Sequence, residues 1–171
     1  MKLFGIILVF IGCSLCGLVI DGHEKKRLKE LEKFIYIFEL LKAEIDYMLT
    51  PLKEASLCVA EHATREIKEV LRDFARQMED KESVDIDAMW KGALKSQRAN
   101  FHLGEADYEL LYSFGSACGY LDKEMQKKNI EMLIYKLQEE LTTARHKYQK
   151  NTKLNKYLGI LIGACISIFL I

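Results

Sequence analysis

A chain of 171 residues with 25 basic and 25 acidic side chains has no net field with which to recruit nucleic acid. One proline and ten glycines make a strongly helical composition and leave no material for a linker or low-complexity tract. Five cysteines, an odd number placed among apolar and small residues, argue against a disulfide framework and for a reduced compartment.

Leu3 to Ile20 carries no charge over 18 residues, and Lys25, Lys26, Arg27 and Lys29 follow closely. As a helix that run is about 27 Å long, close to the ~30 Å hydrocarbon thickness of a bilayer. Residues 1–21 are therefore expected to form an N-terminal transmembrane helix with its basic flank in the cytoplasm. Leu18-Val19-Ile20 is no small-x-small cleavage site, so a removed signal peptide is the poorer reading. Cys13-x-x-Cys16 has no second ligand pair and reads as small packing residues rather than a metal or redox motif.

From Glu24 the apolar positions Leu28, Leu31, Ile35, Phe38, Ile45 and Leu49 repeat at three and four residues, interrupted at Lys42. This predicts a helix of about 26 residues continuing the first anchor and ending at Thr50-Pro51. Thr50 should cap the next helix, with Pro51 at its first position and Leu52, Ala55 and Val59 lining it. Thr64 should cap a third helix that buries Ile67, Val70, Leu71, Phe74 and Met78, up to a polar break at Glu79–Ser83. Asp85 should cap a fourth through about Arg98, with Ile86, Met89, Trp90, Ala93 and Leu94 inward. After a break at Asn100–Gly104, a fifth spans Glu105–Cys118 with Tyr108, Leu111, Phe114 and Cys118 buried, stopped by Gly119. Asp122 should cap a long sixth helix, with Met125 and the seam Ile130, Ile134, Leu137, Leu141, Ala144 and Tyr148 facing a partner helix.

No acidic residue follows Glu140, and Arg145, Lys147, Lys150, Lys153 and Lys156 precede an uncharged run from Tyr157 to Ile171. A basic collar against an apolar end suits an anionic cytoplasmic leaflet. The expected organisation is a transmembrane helix at 1–21, a cytosolic helical bundle at 22–156 and a membrane segment at 157–171. The membrane-surface residues are then Lys25, Lys26, Arg27, Lys150, Lys153 and Lys156. No stretch alternates with period two, so the fold class is all-α, a bundle of about six helices. Its long first and last helices continue into the membrane as antiparallel neighbours, with the four shorter ones capping their far end.

Motifs for chemistry are missing. There is no GxxxxGK[ST], GxGxxG or HExxH, and His23, His62, His102 and His146 are far apart. Ser113 and Ser116 lack the glycine of a nucleophile elbow. The acid pairs Glu79-Asp80 and Glu139-Glu140 read as solvated acids, and the aromatic residues fall at core spacing. No catalytic residue, cofactor, metal, small-molecule substrate or nucleic acid is expected.

Three blocks carry a family resemblance: Ala43-Glu44-Ile45-Asp46-Tyr47 running into Thr50-Pro51-Leu52 and Ala55-Ser56; Tyr108-Glu109-x-Leu111 with Phe114-Gly115, Gly119, Asp122 and Gln126; and Tyr157-Leu158-Gly159-x-Leu161-x-Gly163-Ala164. In order and spacing the chain resembles the stage III sporulation protein AB family of endospore-forming bacteria over essentially its whole length. One departure is Leu158 to Ile171, which spans only about 21 Å as a helix and would need a thinned bilayer or snorkelling lysines to cross fully. The resemblance implies a non-enzymatic subunit of the complex linking mother cell and forespore. It also implies a cytosolic domain similar to the helical domains of the type II secretion inner-membrane platform protein, and a secretion-type ATPase as partner. Candidate partner-binding residues then lie at two corners: Glu44, Asp46, Thr50, Pro51 and Leu52, and Phe114, Gly115, Gly119 and Asp122. The alternative is a membrane-tethered helical adaptor or sensor unrelated to sporulation.

Overall fold

The computed structural model describes the backbone of residues 2–80, 85–118 and 123–170, and the side chains of 22–79, 85–118 and 124–150. Among these residues the chain is all-α, with α1 (Lys2–Asp46), α2 (Leu52–Ala60), α3 (Arg65–Asp80), α4 (Ile86–Ser96), α5 (Glu105–Cys118) and α6 (Lys123–Leu170). One 3-10 turn, Arg98–Asn100, lies between α4 and α5. The expected membrane segments, 1–21 and 157–171, fall outside the residues whose side chains are described. Among the described residues no helix is long and apolar enough to cross a membrane.

α1 and α6 lie side by side and antiparallel. Partners fall in number along α6 as they rise along α1: Glu32 with Arg145, Glu39 with Gln138 at 3.3 Å, Lys42 with Glu131 at 2.7 Å, Asp46 with Lys127 at 2.8 Å. These rim pairs are part-exposed and solvent-screened, so each contributes little. The seam beneath them does more: Ile130, Leu133, Ile134, Leu137 and Ala144 of α6 are buried, and each large apolar side chain so buried stabilises by about 1.5–3 kcal/mol. Met125 is not part of that seam. It is exposed at the start of α6, outside the buried core that begins at Ile130.

α1 buries more than a seam. Phe34, Ile37 and Leu41 are buried beside the anticipated Leu28, Leu31, Ile35, Phe38 and Ile45. The reason is that α1 is packed on more than one flank. Phe38 meets Phe114 of α5 at 4.8 Å and Trp90 of α4 at 6.1 Å between ring centroids, and Phe34 meets Phe101 at 5.4 Å. Phe74 of α3 closes this aromatic cluster edge-on against Trp90 at 5.2 Å, and the Trp90 indole N–H donates to the Leu111 carbonyl at 2.7 Å.

The four shorter helices therefore do not cap the far end of the long pair. They run alongside it, and the loop of residues 101–104 returns to the end of the bundle where the described side chains of α1 begin, so that the His102 amide donates to Glu30 at 2.7 Å.

Local boundaries follow from competing hydrogen bonds. α1 stops at Asp46, and Leu49 adopts φ 54°, a left-handed conformation costly for a residue with a Cβ. Leu49 is consequently exposed rather than buried. The Thr50 amide donates back to the Glu44 carbonyl, and its hydroxyl to the Glu44 carboxylate, both at 3.1 Å. Thr50 is thereby withdrawn from capping, and Pro51 stands at the N-cap of α2 without a side-chain bond. Asp85 caps α4 as anticipated, accepting from the Ala88 amide at 3.1 Å. The expected caps Gly119 and Asp122 lie outside the described residues. Beside them, the Gln126 side chain donates to the Cys118 carbonyl at 3.2 Å and satisfies one orphan acceptor at the end of α5.

Candidate docking and membrane-facing surfaces

The two expected corners differ. At the first, Glu44 is engaged by Thr50 and by the Cys58 thiol at 3.6 Å, and Asp46 by Lys127, whose ammonium this hydrogen bond holds above the usual lysine range. Pro51 is exposed, whereas Leu52 is partly buried against the core. The apolar surface here comes from residues outside the candidate partner-binding set: Tyr47 is 81%, Met48 70% and Leu49 65% exposed. The antiparallel register, with Asp46 opposite Lys127, sets exposed Met125 near the same tip. Alongside runs a groove of about 350 Å³ between α1 and α6, lined by Ala43, Tyr47, Ile134 and Tyr135 together with the Lys42–Glu131 pair, Glu39 and Gln138.

The second corner is not a surface in its described part. Phe114 is fully buried in the aromatic cluster, and Gly115 is buried where α5 crosses α4. A Cβ on Gly115 would stand 2.8 Å from the Asp87 Cα and 3.0 Å from the Trp90 Cβ, so this glycine permits the close approach of two helices. Both residues are corrected from partner-binding to packing roles, and Gly119 and Asp122 lie outside the described residues.

At the opposite end Lys25, Lys26 and Lys150 are exposed, while Lys153 and Lys156 lie outside the described side chains. Arg27 departs from the collar. Its side chain is 16% exposed, and its Nε and Nη2 donate to the two carboxylate oxygens of Asp107 at 2.6 and 2.7 Å. Nη2 also donates to Glu140 at 2.8 Å, so Glu140 is not the solvated acid expected. The hydrogen bonds to Asp107 above all push the guanidinium further above its already high range. Asp107 is fully buried and also accepts from the Gly104 amide at 2.8 Å, the backward reach of a third-position acid to the helix N-cap. One arginine thus joins α1, α5 and α6. The only local sign of this was an acid three residues after Gly104; the pairing spans 80 positions and leaves no periodic signal.

The chemistry of other groups is quiet. Burial pushes the Tyr108 hydroxyl up to about 12 and raises the Cys118 thiol, and desolvation together with the Glu44 carboxylate raises Cys58. Raised thiols are less nucleophilic at neutral pH. Among the described residues no group of three or more His, Cys, Asp or Glu side chains is placed to hold a metal ion.

The comparisons with known proteins agree with this architecture. A solved structure of a stage III sporulation protein AB (SpoIIIAB) superposes with a TM-score of 0.66 at 24% identity, covering 72% of this chain and 97% of that one, and shows the same fold. The stage III sporulation protein AB of Bacillus subtilis (strain 168) is 27% identical over 170 residues, 99% of either chain. The profile of the stage III sporulation protein AB family matches residues 2–171. The chain belongs to the stage III sporulation protein AB family, and its role is in sporulation.

Proposed function

We propose that the protein is a non-enzymatic platform subunit of the sporulation channel complex between mother cell and forespore. Both of its ends are anchored in one membrane, and its bundle docks a secretion-type ATPase and other subunits in the cytoplasm. The observation that carries this reading is the antiparallel α1–α6 pair: its ladder of rim pairs and its buried seam bring both apolar ends of the chain out at the same end of the bundle. A body held at two points resists rotation better than one on a single stalk, which is what a base for a motor requires. The lysine collar at that end suits the cytoplasmic leaflet, at roughly 1 kcal/mol per basic side chain near the surface. The docking surface is the opposite tip, where Tyr47, Met48 and Leu49 are the most continuous exposed apolar run in the described chain.

The test is recovery of the membrane-extracted protein from sporulating cells with identification of what accompanies it. The ATPase and other channel subunits should accompany the wild-type chain, and the ATPase should be lost from a Tyr47→Ser/Met48→Ser variant. A wild-type chain that brings no sporulation subunit, or a variant that retains the ATPase fully, refutes the platform or its docking tip respectively.

A further inference from the structure

The membrane-facing end holds a side-chain cluster that the collar does not explain. His102 is fixed from two sides: its amide donates to Glu30 Oε2 at 2.7 Å and its Nδ1 lies 2.8 Å from Glu30 Oε1. Its Nε2 lies 3.4 Å from the Lys26 ammonium, and the His23 ring stands edge-on at 5.1 Å between centroids. An ammonium only donates, so Nε2 is the acceptor and Nδ1–H faces Glu30. Lys26 is therefore tethered at a defined place, whereas its exposed neighbours Lys25 and Lys29 have no such hold.

Among the described residues the acids around the cluster are already engaged, Glu30 by the His102 amide and ring. Glu24 lies 3.8 Å from Arg27, Asp107 and Glu140 hold the same guanidinium, Glu32 pairs with Arg145, and Glu105 pairs with Arg98. The positive charge of Lys25, Lys26, Lys29, Lys147 and Lys150 is left to face outward. The position is also particular. His23 follows the apolar run ending at Ile20 by three residues, about 5 Å of helix rise.

We propose that Lys26, positioned by His102 and with His23 beside it, binds the phosphate of an anionic phospholipid headgroup. The loop of residues 101–104 becomes the bundle's third point of contact with the bilayer, beside α1 and α6. This rests on the membrane-anchored reading above. Three contacts that are not in line fix the tilt of the bundle, which two helical stalks alone leave free to rock.

The experiment is hydrogen exchange of the full chain in nanodiscs of phosphatidylcholine alone and of phosphatidylcholine with phosphatidylglycerol. Exchange in residues 98–104 should be slower with phosphatidylglycerol. Lys26→Gln should cut that difference by about fivefold, the factor corresponding to one basic side chain near an anionic leaflet, and Lys26→Arg should retain it. Equal exchange in the two lipids, or an undiminished difference in Lys26→Gln, overturns the site while leaving the anchors standing. Inorganic phosphate reproducing the protection in phosphatidylcholine discs assigns the cluster to a free anion and overturns the lipid. A chain that does not enter either disc overturns the anchored reading, and the site with it.

Discussion

Replacing Asp107 by asparagine changes almost no volume and removes one charge from the interior. Asp107 is fully buried, one oxygen taking Arg27 Nε and the Gly104 amide, the other Arg27 Nη2. Removing one partner of a buried ion pair costs about 3–5 kcal/mol, mostly because the other charge is left uncompensated. Two features place this case at the lower end. Glu140 remains 2.8 Å from the guanidinium, and Arg27 keeps some access to water. An asparagine oxygen placed where Oδ2 stands also retains two of the three bonds. About 3 kcal/mol is therefore expected, read as a fall in the urea midpoint of the detergent-solubilised chain by circular dichroism at constant slope. In the Arg27→Met/Asp107→Leu double variant the loss should be smaller than the sum of the two single losses, since neither charge is then orphaned. A loss below about 1 kcal/mol for Asp107→Asn, the value of an exposed pair, would refute the claim that this network holds α1, α5 and α6 together.

Three further outcomes follow from local geometry. Gly115→Ala should lose about 1–3 kcal/mol by the same assay, because its Cβ would meet the α4 backbone at 2.8 Å; Gly92→Ala, whose Cβ would meet only the flexible Gln77 amide at 3.7 Å, should gain about 0.5–1 kcal/mol. Acid should unfold the protein partly through Asp87, whose carboxyl is held below its ordinary value first by the Lys91 ammonium at 2.5 Å and then by the Ser116 hydroxyl. A folded value below the unfolded one means a contribution complete above pH about 4 and lost as pH falls through the lower folded value. Lys91→Gln should flatten that acid limb in a urea titration against pH, and an unchanged limb would contradict the assignment.

The helices were legible where one face alone is buried. The charged outer face of α3 left Ile67, Val70, Leu71 and Phe74 as an unmistakable stripe, and all four are buried. α1 was legible only in part: contacts on more than one flank widened its buried face to include Phe34, Ile37 and Leu41, which a three-four count from Leu28 skips. The first corner was legible as a turn through Thr50-Pro51, but not its details, because Glu44 competes for the Thr50 hydroxyl and Leu49 reverses the chain earlier. Gly115 carries no local sign separating a packing glycine from a surface one; the distinction lies in Asp87 and Trp90, on another helix. Likewise, nothing near Arg27 distinguishes it from Lys25 and Lys26 until Asp107 is brought against it. Periodicity reports one helix at a time, and these residues are defined by two or three.

The most direct measurement is labelling of a His62→Cys variant, in a Cys58→Ser background, with a membrane-impermeant maleimide in vegetative cells producing the full chain. His62 is exposed, in the turn after α2. Labelling at residue 62 only after permeabilisation, in protein recovered from the membrane fraction, is the predicted result; labelling in intact cells, or recovery in the soluble fraction, would contradict a bundle held on the cytoplasmic side by both of its ends.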